Sequence, residues 1–320
     1  MRRTCLNMVY ELAKTDDRIL YIGSDVGAGT LGQFKEEMPD RFFMEGVSEA
    51  NIIGMAAGLS LEGKIVYVNT IATFITRRCF EQVVLDLCVH NAKVRLIGNG
   101  AGMVYAPMGP THLAIEDIAI MRAIPNMTIV APADADEMQR FMPLTVDWPG
   151  PIYIRLAKGF DPIVTNSDTP FIIGKAVPMR EGTDALIVTT GIGLISGLAA
   201  AETLAGMDVQ TAVLHCPTVK PLDVETILEY AAPVRAIVTF EEHTVIGGLG
   251  SAIAEIVAEA GFDPAKRFKR IGIPDVFPTE YGNQESLMER FSLNSDTLVS
   301  TVAQLVEGST ARQPSAVKGP

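Results

Sequence analysis

"FMEGVSEANIIGMAAGLSLEG" (43–63) is followed at once by "KIVYVNT" (64–70). The Gly/Ala-rich apolar run at 49–62 has the length of a helix, and 64–70 is a short β-branched run of strand length. A helix feeding directly into a buried strand is the repeating unit of a parallel sheet covered on both faces. Working outward, the same alternation recurs. Strands are expected at 18–26, 94–100, 127–132 and 151–157, and helices at 77–91, 113–123 and 134–146. Several strand ends run into Gly, Ser, Asp or Asn, where open α/β sheets collect ligands. One residue of the opening stretch is out of place. Glu49 carries a charge into a run headed for burial, and no basic residue stands close by in sequence. An unpaired buried carboxylate is costly.

Beyond 160 the pattern loosens into a stretch rich in Pro, Asp, Asn and Gly, and a second alternation follows. Strands are expected at 184–191, 209–216, 236–242 and 268–274, with helices near 194–206, 222–230 and 247–260. The fold class is α/β, with two doubly wound domains. They span 1–160 and 183–308, joined by a linker at 161–182 and followed by a disordered tail at 309–320.

Composition excludes several functions. With 38 acidic against 26 basic residues the net charge is −12, and binding to nucleic acid needs a basic footprint instead. Cys5, Cys79, Cys88 and Cys216 are scattered in apolar contexts with no zinc spacing, as buried thiols in a reducing compartment would be. "MRRTCLNMVYELAKTDD" (1–17) is interrupted by charge too early for a secretory leader and reads as an amphipathic first helix. No apolar run reaches the roughly 18 residues of a membrane span. The expectation is a soluble cytoplasmic protein, without nucleic-acid or membrane partners.

Two Gly-rich loops, "GSDVGAGTLG" (23–32) and "GGLGSAIAEI" (247–256), resemble phosphate cradles at helix starts, yet neither fits a nucleotide fingerprint. Gly247, Gly248 and Gly250 are expected to let a helix pack closely on the sheet. His112, in "MGPTHLAIEDIAIMRAIP" (108–125), stands at a loop-to-helix junction where an imidazole can donate, accept or shuttle a proton. His243 in "FEEHTVIGG" (240–248) reads as a structural or interface residue. His90 and His215 read as surface or core residues, and no pair of histidines has metal-ligand spacing. In "NTIATFITRRCFEQVVLDL" (69–87), Arg77 and Arg78 are placed to pair with Glu81 or Asp86 along a helix.

Four motifs then occur in one order: "GVSEANIIGMAAG" (46–58), "TFITRRCFEQ" (73–82), "GPTHLAIEDIAIMRAIPN" (109–126) and "FEEHTVIGGLGSAIAE" (240–255). Together they resemble the C-terminal half of transketolases, over about residues 1 to 305. The resemblance implies a thiamine diphosphate site. Glu49 would hydrogen-bond the aminopyrimidine ring nitrogen, favouring the tautomer that takes the proton from the thiazolium carbon. Phe74 would stack on the aminopyrimidine, Asp25 would lie near the thiazolium, and Ile52 and Arg77 would complete the cofactor contacts. His112 would face the sugar hydroxyls, Lys158 would grip an acceptor phosphate, and Tyr105 and Asn99 would line the substrate side.

Two departures bear on specificity. Met108, in "VYAPM" (104–108), stands where sugar-phosphate transketolases carry an acidic pair, and a second family histidine is replaced around Asn99–Gly100. The pocket is therefore expected to be more apolar, suited to a modified sugar or sugar phosphate. No Gly-Asp-Gly segment occurs in the 320 residues. The resemblance thus implies a split enzyme. A partner subunit, the N-terminal half, would hold the diphosphate and Mg2+ (or Ca2+) through its GDG…Asn motif, in a heterotetramer with two copies of each chain. The reaction would move a two-carbon ketol unit from a ketose to an aldehyde. The alternative is the β subunit of a 2-oxoacid decarboxylating dehydrogenase, or an acyloin-forming enzyme similar to deoxyxylulose-phosphate synthase.

Overall fold

The strand read at 64–70 forms at Ile65–Ile71 and is buried at every position. A strand with two dry faces needs helices above and below it, and that requirement organises the chain. The computed structural model describes residues 1–24, 29, 31–157, 159 and 161–308. Its first half runs α1 (Arg2–Thr15), β1 (Ile19–Gly23), α2 (Gly32–Glu37), β2 (Phe42–Met44), α3 (Glu49–Leu61) and β3 (Ile65–Ile71). A helical segment at 74–89 follows, in which wide π turns flank the short α4 (Phe80–Gln82). Then come β4 (Val94–Asn99), α5 (Asp117–Arg122), β5 (Thr128–Val130), α6 (Ala135–Phe141) and β6 (Ile152–Arg155). The second half runs β7 (Val177–Arg180), β8 (Ala185–Thr189), α7 (Gly193–Ala205), β9 (Thr211–His215), β10 (Thr218–Lys220) and α8 (Val224–Ala231). It continues with β11 (Ala236–Thr244), α9 (Leu249–Glu259), β12 (Arg267–Ile273), α10 (Gln284–Arg290) and α11 (Ser295–Glu307).

The strands form two sheets, ordered β10-β5-β6-β4-β3-β1-β2 and β12-β11-β8-β9-β7. All pairings are parallel except β10 with β5 and β7 with β9, which are antiparallel edges. Each sheet has an apolar core on both faces. In the larger sheet, α1, α2 and α6 cover one face, while α3, the 74–89 segment and α5 cover the other. Around the smaller sheet, α7 and α11 enclose one core and α8 and α9 the other. Each fully buried Leu, Ile or Val contributes about 1.5–3 kcal/mol.

Within the segment expected as a linker, 161–182, β7 forms and closes the edge of the second sheet. The second half also returns a strand to the first sheet through β10. The tail at 309–320 lies outside the described residues.

In the larger sheet the chain steps from β1 outward to β2, then crosses to β3 on the other side of β1. Such a reversal opens a crevice at the carboxyl ends of the strands. Glu49 follows β2, Phe74 follows β3, and Tyr105 and His112 follow β4.

Candidate active site

Glu49 is the first residue of α3 and is 3% exposed. Helix starts favour negative charge because their first N–H groups lack intrahelical partners. The carboxylate is not unpaired within the chain, as its sequence surroundings implied. Arg78 Nη1 donates to Glu49 Oε2 at 2.9 Å. The guanidinium carbon of Arg78 also lies 3.9 Å from the centroid of the Phe74 ring. Sequence neighbours gave no sign of this pair, since its members are 29 residues apart and meet only when α3 and the 74–89 segment pack on one face of the sheet.

Arg77 likewise pairs with neither Glu81 nor Asp86. Its Nη1 meets Glu116 Oε1 at 3.0 Å, and its Nη2 donates to Thr73 Oγ1 at 2.6 Å and to the Thr111 carbonyl at 3.4 Å. Thr73 Oγ1 in turn donates to the Leu113 carbonyl at 2.8 Å. The π turn thus fastens the loop that carries His112. That imidazole is half-buried, edge-on to Phe74 at 5.1 Å between centroids and 6.5 Å from Tyr105. Its Nδ1 lies 2.9 Å from Thr111 Oγ1, and Nε2 has no partner among the described residues.

Phe74, Arg77, Arg78 and Thr111, with Thr73, Pro110 and Phe277, line an open cleft of about 490 Å3. Phe277 comes from the second domain, in an irregular segment that offered no periodic signal. Tyr281, close to it in sequence, covers the Gly-Pro turn. Gly109 has φ +75°, and a Cβ there would lie 2.9 Å from the Tyr281 ring, so only glycine fits. Met108 is exposed beside this turn.

Not every expected residue reaches the cleft. Ile52, one turn beyond Glu49, is sealed in the apolar core. Asn99 is fully buried at the end of β4, where its Nδ2 donates to Asn69 Oδ1, and Asn69 Nδ2 donates to Tyr21 OH at 2.8 Å. With Ser24 Oγ donating to Thr70 Oγ1 at 2.8 Å, these side chains form a polar row under the strand ends. Asp25 and Lys158 lie outside the described residues. Among the described residues no group of three or more His, Cys, Asp or Glu could hold a metal ion, and no helix is long and apolar enough to cross a membrane.

The geometry suits an aminopyrimidine. A flat nitrogen donor already sits against Glu49 and over Phe74, in the form of the Arg78 guanidinium. A planar group that donates an N–H to the carboxylate while it stacks on the ring would make the same two contacts. A buried carboxylate and an aromatic face are the donor set such a heterocycle requires.

The Gly-rich turn at 247–250 is filled from within. The Glu241 carboxylate accepts the Leu249 N–H at 2.7 Å and the Gly250 N–H at 2.8 Å. A Cβ on Gly248 would lie 2.2 Å from that carboxylate. His243 beside it accepts the Ala119 N–H on Nε2 at 3.3 Å, which leaves Nδ1 to donate to the Thr244 carbonyl at 2.7 Å. This histidine ties the domains together. Behind it, Asp117 accepts Tyr153 OH at 2.6 Å and Arg155 Nε at 2.8 Å, while Arg155 Nη2 donates to the Glu242 carbonyl at 2.9 Å. Burial raises the Glu242 carboxyl above the usual carboxylate range, against the opposing pull of Arg155 and of hydrogen bonds from Met103 N–H and Gln284.

Residues 1–160 match the family described as "Transketolase, pyrimidine binding domain", and residues 174–298 match "Transketolase, C-terminal domain". The chain is 37% identical over 308 residues to the 6-deoxy-6-sulfo-D-fructose transketolase subunit SqwH of Clostridium sp. (strain MSTE9), covering 96% of this chain and 94% of that one. It is 34% identical to an apulose-4-phosphate transketolase subunit of Phocaeicola vulgatus, covering 96% and 97%. A solved split gene transketolase, described as an inactive beta4 tetramer, is similar with a TM-score of 0.86 and 34% identity, covering 96% and 97%. With both domains matched and relatives aligned over nearly their whole length, the chain belongs to the transketolase family.

Proposed function

We propose that the chain is the catalytic, pyrimidine-binding subunit of a two-component transketolase that moves a two-carbon ketol unit from a ketose to an aldehyde. The observation that carries this reading is the buried Glu49 carboxylate and the Phe74 face brought together on one guanidinium, that of Arg78, with His112 edge-on to the same ring. Thiamine diphosphate, when bound, supplies the carbon nucleophile for the donor carbonyl and accommodates the electron pair released on C–C cleavage. Glu49, dry and at a helix start, holds or yields a proton at the ring nitrogen facing it. Phe74 fixes the plane of that ring. His112 Nε2 offers a donor or acceptor to the hydroxyl and carbonyl oxygens of the sugar, with Thr111 orienting the imidazole. Arg77 holds this loop in register. Asp25 near the thiazolium, Lys158 as a point charge for an anionic substrate end, and Tyr105 on the substrate side complete the proposed roles, while Asn99, buried under the strand end, is given none.

The apolar Met108 supports a donor or acceptor other than the common sugar phosphates. The two relatives act, by their names, on a sulfonated and a phosphorylated sugar, which supports a modified sugar with an anionic end. The missing Gly-Asp-Gly segment and the subunit names of the relatives support a partner chain. That partner would hold the diphosphate and Mg2+ or Ca2+, in a cytoplasmic assembly with two copies of each subunit.

The test is to purify the chain with a GDG-bearing partner and assay ketol transfer with thiamine diphosphate and Mg2+ over phosphorylated, deoxy and sulfonated sugars. Turnover of 2-oxoacids and not ketoses would sink the reading. Glu49→Gln should lose about 10²–10⁴-fold in kcat with an unchanged melting profile; full activity would remove the proton role of Glu49.

A further inference from the structure

The slot between Glu49 and Phe74 is filled by the chain itself. Arg78 meets both residues at once, by a hydrogen bond of 2.9 Å to Glu49 Oε2 and a stacking distance of 3.9 Å to the Phe74 ring. A guanidinium is flat, delocalised and lined with N–H donors along its edge, so it presents the carboxylate and the ring with the contacts an aminopyrimidine would make. The two groups cannot stack on the same face of Phe74 together.

Arg78 is also built to leave. Its side chain is 45% exposed and makes no further hydrogen bond among the described residues, whereas Arg77 beside it is held by Glu116, Thr73 and Thr111. Glu81, three residues on, carries no ion pair among the described residues and is exposed, so a second carboxylate is available to a displaced guanidinium.

We propose that Arg78 is an internal competitor for the aminopyrimidine slot. In the lone subunit its guanidinium satisfies the buried Glu49 carboxylate and keeps Phe74 covered. In the assembled enzyme it must withdraw before the cofactor docks. This rests on the reading of Glu49 and Phe74 as cofactor groups. It follows that this half of the site binds the cofactor weakly until the partner grips the diphosphate end, and that Arg78 sets the affinity of the whole.

Thiamine diphosphate titrated into the two-subunit complex in the presence of Mg2+, followed by calorimetry, reads this directly. Arg78→Ala should tighten the dissociation constant by about tenfold, the scale of one stacked cation and one half-exposed ion pair. Arg78→Lys keeps the charge but loses the flat stack and should fall between that variant and the parent. Methylguanidinium added to the Arg78→Ala complex should compete with the cofactor and restore the weaker binding, which a merely structural arginine would not predict. Unchanged or weaker cofactor binding by Arg78→Ala, in a complex whose parent form binds it, overturns the competitor role alone. A parent complex that binds no thiamine diphosphate overturns the cofactor reading and the competitor with it.

Discussion

Glu49 is tolerated inside the protein because two favourable terms meet at one carboxylate: the start of α3 and the Arg78 guanidinium. A helix N-terminus contributes about 0.3–1 kcal/mol and a half-exposed ion pair about as much, so neither alone offsets the cost of burying a charge. The cysteines show the opposite case, groups kept neutral because burial outweighs the positive charges of the N-terminus, Arg78 and Lys220 near Cys5, Cys79 and Cys88. Burial pushes the thiols of Cys5, Cys79, Cys88 and Cys216 up to about 12. Their folded values exceed the ordinary 9.0, so their contribution to stability is whole below 9 and fades as pH rises towards 12. At pH 8 the native chain should therefore react negligibly with a thiol reagent such as dithionitrobenzoate, while the urea-unfolded chain releases the full signal. A single fast thiol at Cys79 would mean instead that the segment carrying Phe74 and Arg78 opens in the native state, since Cys79 Sγ donates to the Ile75 carbonyl at 3.3 Å.

At the scale of elements, Asp134 shows how one side chain joins a helix to the connection between domains. Its Oδ1 caps α6 by accepting the Asp136 and Glu137 N–H groups at 3.0 and 2.8 Å, and its Oδ2 accepts those of Val164 and Thr165 at 2.8 Å each. Burial opposes the charge, but these bonds outweigh it and hold the carboxyl below the usual range. Its contribution is thus present above the ordinary value and lost as pH falls through the folded one. Asp134→Ala should cost about 2–4 kcal/mol in urea unfolding, a lost cap plus stranded donors, and should expose 161–170 to protease; a cost below about 0.5 kcal/mol would deny the pinning role. The sequence showed the helix at 134–146 through its apolar spacing, and showed most of the strands the same way, because both faces of a parallel sheet must be dry. It did not show β7 or β10, whose pairing depends on edges brought together from distant parts of the chain. The starts of α10 and α11 carry Asn283 and Asn294 as caps, a signal that is legible in the sequence. Around the cleft, Glu49, Phe74 and His112 could be named from motifs. The Arg78 pair, the Arg77 clamp and Phe277 could not, since each is made by packing between elements distant in sequence.

Across the whole molecule, the two sheets meet through buried polar groups, and the second domain also carries Phe277 to the cleft. Arg155, held by Asp117, reaches across to the β11 backbone, Arg122 Nη1 donates to the Gly247 carbonyl at 2.7 Å, and Glu242 receives Met103 N–H from the first domain at 2.7 Å and Gln284 Nε2 from α10 at 2.9 Å. Breaking one member of such a network strands its partners, so the junction resists rotation better than an apolar contact of equal area. Glu242 is its most exposed liability to pH. Burial raises its carboxyl in the folded chain, so its contribution is present below the ordinary value of 4.5 and is lost as pH rises through the folded value. Glu242→Gln keeps an oxygen for the Met103 N–H and removes the charge. The difference in unfolding free energy between this variant and the parent should therefore move in the variant's favour as pH rises from about 4.5, by at most about 1.4 kcal/mol per pH unit. Denaturant melts at several pH values between 4 and 8 measure that difference. A gap that stays constant would show that Glu242 keeps the same proton occupancy folded and unfolded, and that the junction stabilises its charge in full.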